Sequence, residues 1–287
     1  MAIYLEDIAL KKKLADLYDT KEASKISELV FEYITKMTKV EFAMGRYRAM
    51  TEPEATQLTA ITEKLLQSCP LQYVVNEAWF GGLKFFVDNN VLIPRPETEE
   101  LVDWITKDKT AVVDAAASFK ILDIGTGSGC IPVLLKKKLF RAKITGVDVS
   151  EKALSVAKGN ATNYRAVIDF KKVDILNEKT WESLDTYDVI VSNPPYVMAK
   201  EKATMGKNVT EYEPELALFV PDNDPMLFYK KIAAFGLTHL AADGHIYVEI
   251  NEALGKETGD VFKNAGYRIE IKKDMQDKER MIKAKKM

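Results

Sequence analysis

The chain has 287 residues, of which 47% are hydrophobic, so it can bury a full core and is long enough for two domains. Its 41 Lys and Arg residues nearly balance its 43 Asp and Glu residues, which gives a formal net charge of −2 and an isoelectric point near 5.9. This balance disfavours direct nucleic-acid binding, because a phosphate backbone calls for clustered basic residues. The sequence also contains no apolar run long enough to span a bilayer.

Cysteine and histidine are scarce. Two cysteines are too few for a disulfide framework, and two histidines supply no metal-ligand cluster. Residues 1–10 include Glu6 and Asp7 and lack the basic, apolar and cleavage regions of a signal peptide. We therefore expect a cytoplasmic protein without a metal and without a membrane association.

The first part of the chain, residues 1–69, has the apolar spacing of helices. The pattern predicts helices over residues 3–18, 23–37, 40–49 and 53–67. Two of them begin with Thr followed three residues later by Glu, at Thr38 and Thr51, which is the pattern of a capping box. We expect a small N-terminal all-α domain.

The apolar period changes from residue 70 onward. Two apolar segments flank Gly81-Gly82 and predict a β-hairpin over residues 77–87. After a helix over residues 97–107, strands alternate with helices, which predicts parallel βαβ units. The predicted strands lie near residues 120, 143, 170 and 187 and over residues 245–250, 267–272 and 281–285. The predicted fold class is α/β, with a mostly parallel, Rossmann-like sheet and an antiparallel edge strand.

A glycine-rich turn follows the first strand of this sheet. Glycines at 125, 127 and 129 let the backbone approach a ligand without interference from Cβ atoms. The next strand ends in Asp148, whose carboxylate can accept both hydroxyls of a ribose. A dinucleotide fingerprint reads G-x-G-x-x-G and binds a pyrophosphate, so this spacing argues against a nicotinamide dehydrogenase. S-adenosylmethionine matches better, because it has no phosphate and its amino-acid end suits the acidic residue Asp123.

The segment Asn193-Pro194-Pro195-Tyr196 directly follows another apolar strand and is suited to gripping a planar NH2 group. Such a nitrogen is a poor nucleophile, because its lone pair is delocalised into the neighbouring π system. Asn193 can accept a hydrogen bond from one N–H, and the carbonyl of Pro194 can accept from the other. The prolines fix that carbonyl in place, and Tyr196 could stack on the flat target group. The segment therefore predicts methyl transfer onto nitrogen.

These residues are similar to those of the peptide chain release factor glutamine N5-methyltransferases of the HemK/PrmC type, within the class I S-adenosylmethionine-dependent methyltransferases. The resemblance is specific from about residue 72 to residue 287 and faint before that. It also includes Leu92–Glu99, Glu213-Pro214, Ala217-Leu218, Asp274 and Arg280. Pro132 and Asp277 depart from the family pattern, in which Ala and Gly are usual.

The resemblance implies an activity, a donor and a partner. The activity is methyl transfer from S-adenosylmethionine to the glutamine of the Gly-Gly-Gln loop of class I peptide chain release factors, with S-adenosylhomocysteine as the product. The partner is the release factor, which an exposed face of the N-terminal helices could bind. The implied division is an N-terminal helical substrate-recognition domain over 1–69, a β-hairpin linker over 70–95 and a methyltransferase domain over 96–287.

The predicted site has three sets of residues. The catalytic residues are Asn193, Pro194, Pro195 and Tyr196. The cofactor-binding residues are Asp123, Gly125, Thr126, Gly127, Ser128, Gly129, Asp148, Asp174, Ile175 and Asn193, of which Ile175 is implied by the resemblance. The substrate-binding residues are Arg95, Pro96 and Thr98, which rest on the resemblance alone, together with the segment from Asn193 to Tyr196. We also expect the long polar connection over residues 197–224 to be a lid or binding loop.

Two other classes of protein compete with this interpretation. A nucleic-acid amino-methyltransferase acting on adenine N6 or guanine N2 would present a similar planar NH2 group and share NPPY-like motifs. The charge balance argues against it, although the N-terminal helices could serve as a base-recognition domain. A non-catalytic binding module would require damage to Asn193 or the glycine turn, and both are intact.

Overall fold

The computed structural model describes residues 1–115 and 118–287. They form two compact units, one of Met1–Glu77 with Gly206–Tyr212 and one of Ala78–Met205 with Glu213–Met287. The three-part division at residues 69 and 95, and the role of each part, stay predictions. Among the described helices, none combines the length and apolar character needed to cross a membrane.

The first unit contains the helices predicted from the apolar period. They are α1 (Ile3–Leu14), α2 (Thr20–Thr35), α3 (Lys39–Gly45), α4 (Glu52–Leu66) and α5 (Leu71–Val75), with a further short helix α9 (Lys207–Thr210). Helices α1 and α3 are shorter than predicted, α2 begins three residues earlier than predicted, and α4 is shifted by one residue. Helices α5 and α9 were not predicted. Both capping boxes are present, at Thr38 and Thr51. Helix α2 ends at Thr35, because the next residue, Lys36, adopts a left-handed conformation with φ of 55°.

The rest of the chain alternates strands and helices. The strands are β1 (Glu77–Phe80), β2 (Leu83–Phe86), β3 (Lys120–Ile124), β4 (Lys143–Asp148), β5 (Asp169–Lys172), β6 (Tyr187–Ser192), β7 (Val197–Met198), β8 (Phe219–Val220), β9 (Leu240–Glu249), β10 (Tyr267–Lys273) and β11 (Glu279–Lys286). The helices are α6 (Pro96–Ala115), α7 (Cys130–Lys138), α8 (Glu151–Asn163), α10 (Glu215–Leu218), α11 (Leu227–His239) and α12 (Gly255–Asn264). The predicted hairpin and the seven predicted sheet strands are confirmed, with bounds that differ by a few residues.

Seven strands form one sheet in the order β10-β11-β9-β6-β3-β4-β5. The strands from β9 to β5 pair in parallel, and β11 runs antiparallel to both of its neighbours at one side of the sheet. The predicted fold class is therefore confirmed, with the reversed strand β11 lying between β9 and the outermost strand β10. The inner strands are apolar on both faces because helices cover both, as at Ile121 and Leu122, which are fully buried.

This parallel arrangement gathers the carboxyl ends of β3, β4, β6 and β9 at one edge of the sheet. Ligands of open α/β sheets bind at this edge, outside the ends of the strands. The glycine turn follows β3, Asp148 ends β4, Asn193 follows β6 and Glu249 ends β9. The fold thus brings side chains that are far apart in the sequence to one place.

The backbone conformation of two turns explains which residue types occur in them. Gly81, in the β1–β2 turn, has φ of 57°, and a Cβ atom there would lie 2.3 Å from Cδ2 of Leu134, so the position requires glycine. Asp277, in the turn between β10 and β11, has φ of 64°. Asp is one of the few side chains that adopts this left-handed region, which explains why it can replace the glycine usual in the family.

The connection over residues 197–224 contains short elements that the sequence did not indicate. Strands β7 and β8 pair in parallel through Val197 with Phe219 and Met198 with Val220. Each element has only a few residues, which is why no period was visible. The role of this connection as a lid or binding loop stays a prediction.

Candidate active site

Three glycines shape the turn between β3 and α7. Gly125, Gly127 and Gly129 have φ of 73°, 52° and 78°, all in the region that favours glycine. The N–H of Gly125 donates to the carbonyl of Val147 on β4 at 2.9 Å. A Cβ atom at Gly125 would meet nothing within 4 Å, whereas one at Gly129 would lie 3.0 Å from Cβ of Ala157. Gly125 therefore leaves an open face for a ligand, and Gly129 lets α7 pack closely against α8.

Asp123, beside this turn, is completely buried. Its Oδ2 accepts a hydrogen bond from the hydroxyl of Thr126 at 2.6 Å, while its Oδ1 has no partner among the described residues. Burial raises the pKa of Asp123 to about 7. Buried acceptors without a partner are rare in folded proteins, so this oxygen is suited to a hydrogen-bond donor or a positive charge on a ligand.

The carboxylate of Asp148 joins the glycine turn to the start of α8. Its Oδ2 accepts from the N–H of Gly127 at 2.9 Å, and its Oδ1 accepts from the N–H of Ser150 at 2.9 Å. The hydroxyl of Ser150 in turn accepts from the N–H of Ala153, so Ser150 is the N-cap that the sequence predicted. Each carboxylate oxygen keeps a lone pair, so Asp148 can still accept two hydroxyl groups. Burial raises its pKa.

The remaining predicted cofactor residues lie near the same edge of the sheet. Oδ1 of Asp174 accepts from the N–H of Leu176 at 2.9 Å, which fixes the chain after β5. Ile175 is buried, and its carbonyl accepts from the indole N–H of Trp181. Ser128 is also buried within the glycine turn. The ligand contacts of these residues stay predictions.

Asn160 is a residue of this region that the sequence did not reveal. Its Nδ2 donates to the carbonyl of Ser128 and to the carbonyl of Phe86, both at 2.9 Å, and its Oδ1 accepts from the N–H of Phe86 at 2.8 Å. One buried carboxamide thus ties the hairpin strand β2 to the glycine turn. Nothing in the local sequence signalled this role, because its partners are 32 and 74 residues away.

Asn193, directly after β6, is partly buried and belongs to a hydrogen-bond network whose members Thr98 and Glu249 are buried. Its Nδ2 donates to Oγ1 of Thr98 at 3.0 Å, and the hydroxyl of Thr98 donates to Oε2 of Glu249 at 2.5 Å. The hydroxyl of Tyr196 donates to Oε1 of Glu249 at 3.1 Å. Since Nδ2 is used, the side-chain oxygen of Asn193 remains as the acceptor, which is the group that the sequence prediction requires. Pro194, whose carbonyl is the second predicted acceptor, is buried.

Glu249 is the central residue of this network and was missed in the sequence. It is only 1% exposed, and burial raises its pKa to about 7. A signal was available, because Glu249 ends an apolar strand just as Asp148 does. The rule that ligand-binding groups follow the carboxyl ends of parallel strands could have indicated it.

The three substrate-binding residues that were predicted from the resemblance alone have different surroundings. Arg95 forms a salt bridge of 2.7 Å with Glu213, a buried carboxylate that also accepts from the N–H of Ile93. Pro96 is exposed at the start of α6. Thr98 is 2% exposed and joins Asn193 to Glu249. Their contacts with a substrate stay predictions.

Comparison with known proteins identifies the family. The profile of the PrmC N-terminal domain matches residues 9–75, and that of the methyltransferase small domain matches residues 101–212. A release factor glutamine methyltransferase of Flavobacterium psychrophilum is 41% identical over 271 residues, which cover 94% of this chain and 94% of that protein. One of Bacteroides thetaiotaomicron is 39% identical and covers 96% of this chain and 97% of that protein.

The chain belongs to the release factor glutamine methyltransferase family. The family resemblance predicted from the motifs is confirmed, and so is the class of enzyme, a methyltransferase. Among solved structures, the hMettl16 catalytic domain in complex with the MAT2A 3′UTR hairpin 6 superposes with a TM-score of 0.55 at 18% identity, over 89% of this chain and 92% of that one. At this identity the similarity concerns the fold alone.

Proposed function

We propose that this member of the release factor glutamine methyltransferase family transfers a methyl group from S-adenosylmethionine to the side-chain amide nitrogen of the glutamine in the Gly-Gly-Gln loop of class I peptide chain release factors. The observation that carries the proposal is the fixed carboxamide of Asn193, whose Nδ2 is bound by Thr98 so that its oxygen is left to receive an N–H. It stands at the same sheet edge as the glycine turn and Asp148.

The residues around the glycine turn fit the proposed donor. S-adenosylmethionine supplies the methyl group when it is bound. The open face at Gly125 admits its methionine end. The Oδ1 of buried Asp123, which has no partner within the described parts of the chain, suits its ammonium group. The two oxygens of Asp148 can each accept a ribose hydroxyl while keeping their bonds to the backbone. Asp174 and Ile175 follow β5, on the side proposed for the adenine.

The residues after β6 would position the acceptor. The side-chain oxygen of Asn193 and the carbonyl of Pro194 accept the two N–H groups of the glutamine amide, which favours a pyramidal and more nucleophilic nitrogen. The ring of Tyr196 is held by its bond to Glu249 and can lie against the flat amide. Neither Asn193 nor Pro194 is a base, so the proton lost after transfer goes to solvent. Positioning therefore supplies most of the rate.

Recognition of the release factor would involve parts of the chain beyond the reacting centre. Arg95, held by Glu213, and exposed Pro96 are proposed to line the acceptor side. We propose that the N-terminal helices also contact the release factor, and that the enzyme acts in the cytoplasm, where translation ends. Remote contacts of this kind can be used to position a weak nucleophile.

Transfer of labelled methyl groups tests this function. S-adenosylmethionine labelled in its methyl group should label a bacterial class I release factor, and replacing the glutamine of its Gly-Gly-Gln loop with alanine should abolish the label. The full-length factor should be a much better substrate than a short loop peptide, because only the factor offers remote binding energy.

The same assay tests the nucleic-acid alternative. Duplex DNA and ribosomal RNA should stay unlabelled, as expected for a chain with a net charge of −2 and interspersed basic residues. Strong labelling of nucleic acid with none on the release factor would overturn the proposal. That result would indicate that the N-terminal helices are a base-recognition domain.

A further inference from the structure

We propose that Thr98, anchored by Glu249, is a positioning residue that fixes which end of the Asn193 carboxamide faces the acceptor. This inference rests on the proposed function and assigns a role behind the reacting centre. The three side chains come from α6, the end of β9 and the residue after β6, and they are joined by bonds of 2.5 and 3.0 Å. The resemblance placed Thr98 in direct contact with the substrate, which is the alternative that must be distinguished.

The direction of each hydrogen bond follows from the preceding one in the series that runs from Glu249 through Thr98 to Asn193. In its ionised form Glu249 has no proton and only accepts, so its Oε2 requires the hydroxyl of Thr98 to donate. A hydroxyl has one proton, so Oγ1 of Thr98 has only lone pairs left for Asn193. It must therefore face the NH2 end of the Asn193 carboxamide, and the oxygen must point the other way. The two ends of the carboxamide are nearly equal in shape. Without Thr98, nothing in the network would select between them.

Burial makes this selection strict. Thr98 is 2% exposed and Glu249 is 1% exposed, so water has little access to replace a missing partner. Glu249 is itself held at two further points. The hydroxyl of Tyr196 donates to its Oε1, and the hydroxyl of Tyr229 on α11 donates to its main-chain carbonyl at 3.1 Å.

The charged groups that act on Glu249 are Arg280 of β11 and Glu97 of α6, and they have opposite effects on its ionisation. Arg280 is paired with Asp274 and Glu252, so its position is fixed. Burial has the largest effect and raises the pKa of Glu249 to about 7. Activity is therefore best compared at about pH 8, where the carboxylate form predominates.

A matched pair of substitutions tests the role of the hydroxyl. Thr98→Val keeps the shape of the side chain and removes both bonds, whereas Thr98→Ser keeps the hydroxyl. With a class I release factor as substrate, we expect kcat of Thr98→Val to fall at least about fivefold, the scale of losing one hydrogen bond. We expect Thr98→Ser to stay within about threefold of wild type, and the dissociation constant for S-adenosylmethionine to be near normal in both.

A double-mutant cycle separates positioning from direct contact and from damage to the fold. If Thr98 acts through Asn193, adding Thr98→Val to Asn193→Ala should lower kcat by less than about twofold, because the group it orients is already gone. A direct contact with the acceptor, or a general loss of structure, would lower kcat by the same factor in both backgrounds.

Each outcome bears on the inference. Additive effects in the cycle, or a Thr98→Val enzyme with wild-type kcat, would overturn the positioning role while leaving the proposed function intact. A wild-type enzyme that fails to label the release factor would instead contradict the proposed function. Loss of activity in Thr98→Val, recovery in Thr98→Ser and non-additivity with Asn193→Ala would together support the inference.

Discussion

The substitution Asp148→Asn tests how the glycine turn and the proposed donor site depend on one carboxylate. Both oxygens of Asp148 are used within the protein, by the N–H groups of Gly127 and Ser150 at 2.9 Å each. Asparagine has nearly the same shape, but its NH2 group cannot accept. One of the two backbone N–H groups would therefore face another donor, and one proposed ribose hydroxyl would lose its acceptor.

The expected effect follows from the strength of these bonds. A hydrogen bond to a charged group contributes about 1.5–3 kcal/mol, and every 1.4 kcal/mol changes an equilibrium constant about tenfold. Losing one ribose contact should therefore raise the dissociation constant for S-adenosylmethionine by about 10-fold to 100-fold. The unsatisfied backbone N–H should also lower the free energy of unfolding by about 1–3 kcal/mol.

Calorimetric titration with S-adenosylmethionine measures the first effect, and urea unfolding measures the second. Asp188→Asn is a matched control, because Asp188 also accepts from a backbone N–H, that of Lys120 at 2.7 Å, at the opposite end of β3. The control should keep its donor affinity. Of the two oxygens of Asp188, only Oδ2 accepts a backbone N–H among the described residues, so the oxygen of the new asparagine can take over that bond and stability should change little. Unchanged donor affinity in Asp148→Asn, or an equal loss in Asp188→Asn, would refute the reasoning.

Three further predictions have defined outcomes. Asn193→Ala should leave donor binding near normal while turnover with saturating release factor falls by roughly two orders of magnitude, and near wild-type turnover would rule out the proposed grip. Gly81→Ala should lower the urea midpoint of unfolding more than Gly82→Ala does. Both positions have positive φ, but only at Gly81 would the added Cβ lie 2.3 Å from Leu134. Equal midpoints for the two variants would contradict this. Burial raises the pKa of Glu249 from 4.5 to about 7, so its contribution to stability is present below pH 4.5 and lost as the pH rises towards 7. Between these pH values the free energy of unfolding should fall less in Glu249→Gln than in wild type, and parallel curves would count against the raised pKa.

Much of the fold could be predicted because its signals are local. The capping boxes at Thr38 and Thr51 each lie within four residues, and both helices begin one residue before the predicted start. The alternation of apolar strands and helices likewise predicts a parallel sheet, and the strand-end rule then places Asp148 and Asn193 at one edge. The short strands β7 and β8 could not be predicted, because two-residue elements have no period and form only by pairing across 20 residues of chain.

The sequence by itself determined the family, the fold class and the chemical groups available after β3, β4 and β6, because each can be recognised from a short stretch of neighbouring residues. Only the tertiary structure decided how those groups are oriented. Thr98 and Glu249 are 151 residues apart, and Thr98 and Asn193 are 95 apart, so no local pattern relates them. The direction of each hydrogen bond in this network is set by which atoms carry a proton. Burial removes water as an alternative partner, and burial exists only once the chain has folded.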